Sequence, residues 1–527
     1  MVSLFLQKTH RNLSKIYKAI AILLTTAIPV ETSGDTIAII AGLDLVGSVP
    51  AYTALISSTG EIMPLTFSGD MAISGAIFSV SINSSKTSLI GGQTQTGSSP
   101  AYGALVSPSG EITTLTIDGL PGIHGTINSV AINGSGNGIM GGRDTTGPIY
   151  AAIVPPAGNP ITPLLFSNPI SSGGIINTVA INDSQNGLIG GQGFYDFQPA
   201  YLASVSPSGD LTPLTLTGGI AITGSILSVS LNTSGNGLVG GGDMTGSQPA
   251  YAALITSTGG VNPLTLTGGI ATTGRIASVS INSSGDGIIG GADLTGSQPA
   301  YAALINRAGT VTPLSLTGGI ATNGIINSVA TNSKGDSIIG GQDLTGSQPA
   351  YAALISSSGA ITPLDLGSNM AINGTILSVA IDDLGNAIIG GQDLTASQPA
   401  YAALISPTGA VTPLTFTGDM AISGWISTVA LPKVITEAPS NLEGYQSKND
   451  FGLQYEFYNQ LSWTKSPSPG ITSYLIYRDG TEIASVNGST YTYQDHNRKK
   501  GVSYTYAIIA VGLGDIESLP LTIIISP

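Results

Sequence analysis

An all-β chain is what these 527 residues predict: a closed ring of eight four-stranded sheets followed by a β-sandwich. Three observations carry the prediction. First, a unit of about fifty residues recurs eight times between residues 37 and 434. Its marks are Tyr52, Tyr102, Tyr150, Tyr201, Tyr251, Tyr301, Tyr351 and Tyr401. Second, each unit holds four short apolar runs separated by Gly, Asn, Ser and Pro clusters, the signature of an antiparallel meander. Third, the repeat starts and stops out of phase. Self-similarity at this period means solenoid, propeller or array, and a four-stranded meander is a propeller blade.

Residues 1–34 come first. Lys8, Arg11, Lys15 and Lys18 precede the apolar run 19–24, and Thr25, Thr26 and Ala27 follow it. Basic, apolar and small-residue segments in this order form a secretory signal peptide, and the apolar run is too short to span a bilayer well. An exported chain, secreted or at the cell surface, is expected, with no membrane insertion of its mature part. The alternative is an amphipathic N-terminal helix.

Residues 35–433 form the ring. In the unit 225–267, strand a covers 226–231, strand b 237–241, strand c 250–255 and strand d 261–266, joined through turns at 232–236 and 256–259 and a loop at 243–249. Turns this short reverse the chain, which a parallel β-helix does not do. Proline recurs in strand d at Pro64, Pro163, Pro213, Pro263, Pro313, Pro363 and Pro413, with Thr114 the exception. Proline cannot donate to a ladder, so strand d is an edge, the outer rim. The first unit begins at strand b (37–42) and the last copy ends with strand a alone (425–431). Pairing the two completes an eighth blade, whereas a linear solenoid would want polar caps.

Within the unit, the Gly pairs of strand b are expected to let neighbouring blades approach closely. The strand c tyrosines are expected between blades. Asn83, Asn133, Asn182, Asn232, Asn282, Asn332 and Asp382 are expected to cap the a–b hairpins.

The runs 130–141 (Val-Ala-Ile-Asn-Gly-Ser-Gly-Asn-Gly-Ile-Met-Gly) and 379–391 resemble bacterial β-propeller repeats of the SBBP or NHL kind. The likeness covers about fifteen residues per unit. It departs from the pattern in its longer period and in lacking an aromatic in strand b. It implies the fold and transfers no activity.

Residues 434–527 lose the period. Aromatic-rich runs at 461–463, 474–478, 491–493 and 504–509 follow at sandwich-like spacing. This stretch resembles a fibronectin type III domain, with Trp463 matching the core tryptophan of strand B and Tyr504 the corner tyrosine near strand F. The resemblance implies a seven-strand sandwich used as spacer or binding module.

Charge and composition narrow the function. Residues 37–433 hold 6 Lys or Arg against 19 Asp or Glu, a net of −13, so no basic stripe serves nucleic acid. Cysteine is absent, and His10, His124 and His496 are the only histidines. No catalytic residue, metal site or cofactor is therefore expected. The recurring charged position opens the b–c loop: Asp44, Asp144, Asp243, Asp293, Asp343 and Asp393, broken by Thr94 and Phe194. Gln198, Gln248, Gln298, Gln348 and Gln398 would share that face. Such a ring could bind sugars or Ca²⁺ repeatedly. Asp-x-Thr-Gly is also a strong turn former, and one carboxylate per loop is poor Ca²⁺ ligation, so the turn reading is adopted.

The expectation is an exported, monomeric protein that is not an enzyme and binds a glycan or protein multivalently. The alternative is a secreted glycan-active enzyme, which needs paired carboxylates. Arg143, Asp144, Asp183 and Asp196 in the irregular third and fourth units are its candidates. A third reading is a structural surface protein.

Overall fold

The computed structural model describes residues 36–96, 99–117, 125–144, 149–166, 173–194, 198–245, 247–367, 369–395, 397–468 and 470–526. The signal-like segment, His124 and Asp196 lie outside them.

Eight four-stranded antiparallel sheets follow one another, each a blade with strand order a-b-c-d. Blade 5 is representative: Gly224–Leu231 (a), Gly237–Asp243 (b), Ala250–Ile255 (c) and Val261–Pro263 (d). Strand d is shorter than its apolar run suggests, in the blade that has Thr114 as in those that have proline. Blade 1 joins the two ends of the repeat. Strands Thr36–Asp44, Ala51–Ser57 and Ile62–Pro64 pair with Gly424–Ala430, setting Ile39 opposite Ala430 and Leu43 opposite Trp425. The eight-bladed propeller closes as the offset ends require.

The core lies between blades. Leu238 and Ala252 of blade 5 pack on Ile276, Val279, Ile289 and Ala303 of blade 6, and the pattern recurs around the ring. Sheets buried on both faces need apolar residues at successive positions. The tyrosines meet the preceding blade: Tyr52 on Phe416 (centroids 6.1 Å), Tyr102 on Phe67 (5.9 Å) and Tyr201 on Phe166 (6.0 Å).

Each Gly pair does two jobs, one more than the sequence suggested. A Cβ on Gly290 would come within 2.6 Å of Ile326 and Val329 of the next blade, so this glycine sets blade spacing. A Cβ on Gly291 would strike the Arg275 carbonyl of its own sheet, where a bulge lies between Ile276 and Ser278. Blade 1 has Ala41 at the spacing position and keeps Gly42 at the bulge.

The bulge turns strand a's free edge toward its neighbours. There the amides of Val130, Val179, Val229, Val279, Val329, Val379 and Val429 each donate at 3.1 Å to a hydroxyl of the preceding blade, on Ser79, Ser129, Thr178, Ser228, Ser278, Ser328 and Ser378 respectively. Val80 donates to Thr428 at 3.4 Å, which makes the circle complete.

At the outer edge, Leu264 N–H donates inward to Ala252, which leaves the nitrogen of Pro263 facing out. The exception, Thr114, has another cover. Asn159 of the next blade donates Nδ2 to the Thr114 carbonyl (3.2 Å) and accepts the Thr116 N–H (2.9 Å).

The a–b turns lie on one face of the ring. Asn232 Oδ1 accepts its own hairpin's Asn236 N–H at 2.9 Å, the expected cap, and its Nδ2 donates to the Asn282 carbonyl of the next blade at 3.2 Å. Asn133, Asn182 and Asn332 make the same reach, so these residues clasp blades as well as capping turns.

Beyond the ring, Ser440–Asp450, Tyr455–Thr464 and Thr492–Arg498 form a three-stranded sheet. Thr481–Asn487, Ser473–Arg478, Tyr504–Val511 and Leu521–Ile525 form a four-stranded one. Between them lie Leu461, Trp463, Tyr474, Ile476, Tyr506 and Ile508. The Tyr504 hydroxyl accepts the Lys499 N–H at 3.2 Å, a corner contact. Gly514 sits against Leu384 and Lys334, so this module meets the a–b turns of blades 7 and 8. Among the described residues no helix is long and apolar enough to cross a membrane.

Candidate functional site

The opposite face carries the b–c and d–a loops. Their backbones bind each other: Leu294 N–H donates to Thr273, Leu344 to Asn323, Leu394 to Asn373 and Leu45 to Ser423. The d–a segments, read from sequence as plain loops, contain 3-10 turns such as Gly269–Ala271 that bury Ile270. The signal was one apolar residue, too little to announce an element.

The aspartates fold back on their own loops. Asp243, Asp293, Asp343 and Asp393 accept the N–H of the threonine two residues on at 2.7–2.8 Å, and the same threonine's hydroxyl. Asp44 accepts the Val46 N–H at 2.8 Å, and Asp144 is buried. The turn role is therefore realised at Asp44, Asp243, Asp293, Asp343 and Asp393, whose carboxylates point into their own loops.

The glutamines do the reverse. Gln198, Gln248, Gln298, Gln348 and Gln398 have φ between 55° and 63° and exposed side chains. Their backbones are pinned from both sides. Gln298 N–H donates to Thr295 (3.0 Å), and its carbonyl accepts the Gly324 N–H of the next blade (2.9 Å). Val49 and Ser99 hold the same left-handed conformation in blades 1 and 2.

Blade 1 adds a pair the sequence reading missed. Asp419 stands where Gly219, Gly269 and Gly319 stand in other d–a turns, positions whose Cβ would face the loop aspartate. Burial raises the Asp44 pKa above the ordinary carboxylate value, with a further push from Asp419. In blade 2 the carboxylate changes loops: Asp70 occupies the d–a position and Thr94 the b–c position. The partners come from opposite ends of the repeat, so no local motif announced them.

Among the described enzyme candidates, Asp183 stands apart from Arg143 and Asp144. Asp183 accepts the Gly134 N–H at 2.9 Å on the a–b turn face, whereas Arg143 stacks on Phe194 (5.8 Å) at the loop face. An a–b turn and a b–c loop lie at opposite ends of a strand, which separates them. A rim cleft of about 370 Å³ between blades 1 and 2 is lined by Leu55, Met63, Phe67, Tyr102, Ile112 and Thr114.

No family model and no curated protein matches the chain. Similar solved structures include Chaetomium thermophilum Sqt1, 14% identical with a TM-score of 0.44, covering 86% of this chain and 95% of that one. Puromycin hydrolase is 13% identical with a TM-score of 0.44, covering 74% of this chain and 59% of its own length. The β-propeller domain of the Trilobed protease from Pyrococcus furiosus is 7% identical with a TM-score of 0.43, covering 65% and 98%. Scores this low carry no argument about sites or substrates. One expectation is corrected by them: a hydrolase and a protease's propeller stand among the similar structures, so the reading of the chain as no enzyme is withdrawn, and its enzymatic status is not established.

Proposed function

We propose that the loop face is a multivalent binding surface for a glycan or protein, carried by an exported chain. The observation behind it is the left-handed glutamine of blades 4–8. A non-glycine residue at φ near 60° costs about 1–3 kcal/mol, and glycine would hold the same backbone without that cost. Each of five consecutive blades nevertheless presents an exposed primary amide, with a donor and an acceptor, at an equivalent position. Several weak equal contacts gain strength through avidity.

The placement of the chain ends supports this reading. Strand b of blade 1 starts, and strand a of blade 1 ends, on the a–b turn side, where the C-terminal sandwich also sits. The sandwich thus stands at the face opposite the loops. The sandwich, read as fibronectin type III-like, would then serve as spacer or accessory module.

A glycan array and a surface-protein pull-down test the proposal. Saturable binding should weaken stepwise as Gln248→Ala, Gln298→Ala and Gln348→Ala are combined. Binding that survives replacement of all five glutamines would sink it. Product analysis on every bound glycan reports in the same experiment whether the ligand is turned over.

A further inference from the structure

The sandwich carries a second surface, independent of the loop face. In its three-stranded sheet Leu461 and Trp463 face the core, so alternate residues face outward. These are Tyr445, Ser447 and Asn449 on the first strand, Glu456, Tyr458 and Gln460 on the second, and Gln494 and His496 on the third. Tyr445 is 61% exposed, so nothing among the described residues covers it. Tyr458 lies beside the His496 ring with centroids 5.7 Å apart and planes 32° apart. The rings thus run diagonally across three strands, a width of about 10 Å at ordinary strand spacing.

The polar groups around this strip hold one another in place. Gln494 Nε2 donates to Gln460 Oε1 at 2.9 Å. Asn449 Nδ2 donates to Glu456 Oε1 at 3.0 Å, and His496 Nδ1 lies 2.9 Å from the same oxygen. Fixed amides and a fixed carboxylate beside aromatic rings suit a ligand with apolar C–H faces and equatorial hydroxyls.

We propose that the outer face of this three-stranded sheet binds a neutral polysaccharide. Pyranose rings would lie on Tyr445 and Tyr458, with hydroxyls reaching Gln460, Gln494, Asn449 and Glu456. Charge decides against the obvious competitor. The face carries Glu443 and Glu456, its histidine is engaged by Glu456, and the propeller beside it bears a net of −13. A polyanion, whether nucleic acid or a sulfated or uronate glycan, meets repulsion there, whereas a neutral chain pays no such penalty.

The test is affinity electrophoresis of the full chain in native gels containing hydroxyethylcellulose, galactomannan, xylan or dextran, with dextran sulfate as the polyanion. Retardation is expected in at least one neutral polymer. Tyr445→Ala and Tyr458→Ala should each weaken it at least tenfold, with Gln460→Ala weakening it less. Glu61→Gln, on an exposed outer turn of the propeller, should leave it unchanged. Tyr445 is exposed, so its variant keeps the fold, and an unchanged near-ultraviolet signal from Trp463 checks the others. The proposal is overturned if no neutral polymer retards the chain. Retardation that persists in Tyr445→Ala, or that occurs with dextran sulfate alone, overturns it too.

Discussion

The two edges of every blade face the same problem and solve it in opposite ways. At the inner edge, strand a's free amides meet a hydroxyl of the neighbouring blade, eight times in sequence. At the outer edge, seven strands remove the donor with proline, and one hides its backbone behind Asn159. The inner edges converge, so a partner is always within reach; the outer edges diverge, so none is. An exposed strand edge is thus paired where geometry supplies a neighbour and blunted where it does not.

The largest effect that could break this contrast is at the bulge that aims the inner edge. Gly291→Ala places a Cβ against a backbone carbonyl that cannot rotate away, and a loss of about 3 kcal/mol is expected from denaturant midpoints. Gly290→Ala meets side-chain atoms of Ile326 and Val329 rather than backbone, and blade 1 already accommodates Ala41 there, so about 1 kcal/mol is expected. The reverse ranking would mean that the pair's two roles are misassigned.

Next comes the hydroxyl itself. Ser278→Ala leaves the buried Val329 amide without its partner and should cost about 1–3 kcal/mol. Ser278→Thr should restore most of it, because Thr178 and Thr428 do the same work in blades 4 and 1. If alanine were neutral, the inner circle would be ornament.

The outer edge should respond in solubility more than in stability. Asn159→Ala should cost about 1 kcal/mol and raise concentration-dependent light scattering. Adding Thr114→Pro should suppress the scattering without restoring the lost stability. Scattering that ignores the proline would place the sticky edge elsewhere.

The smallest expected effect is electrostatic. Burial, with a further push from Asp419, raises the Asp44 pKa in the fold, so folding disfavours its ionised form relative to the unfolded chain. Its contribution is fully present below the unfolded carboxylate pKa and is lost as pH rises through the folded value. Asp419→Asn removes part of the push. It should raise the melting temperature slightly at neutral pH, and that gain should vanish on acidification. A gain independent of pH would remove the carboxylate pair from the closure blade's energetics.

The architecture was legible because its signals are periodic or local. The prolines of strand d, the Asp-x-Thr turns and the orphan strands each declare themselves within one unit. The circle of hydroxyls did not, since Ser228 or Ser278 in strand a looks like ordinary polar alternation until the bulge shows where it points. Asn159 and the Asp44–Asp419 pair were hidden for another reason: each acts on residues far off in the chain. At the loop face the sequence grouped aspartates and glutamines on one ring, whereas the fold turns the aspartates inward and the glutamines out. The outward aromatics and amides of the sandwich sheet drew no reading from the sequence, because only strand register brings them together.

One property of the inner circle reaches past stability. Each blade accepts from the blade after it, always in the same rotational sense, so the ring is polar and endless like a one-way roundabout. The blade closed by pairing Thr36–Asp44 with Gly424–Ala430 meets both neighbours as every other blade does: Val429 donates to Ser378 and Thr428 accepts from Val80. Where the chain happens to be cut is therefore arbitrary. A permuted version, opened at another a–b turn and rejoined at the present ends, should assemble into the same circle.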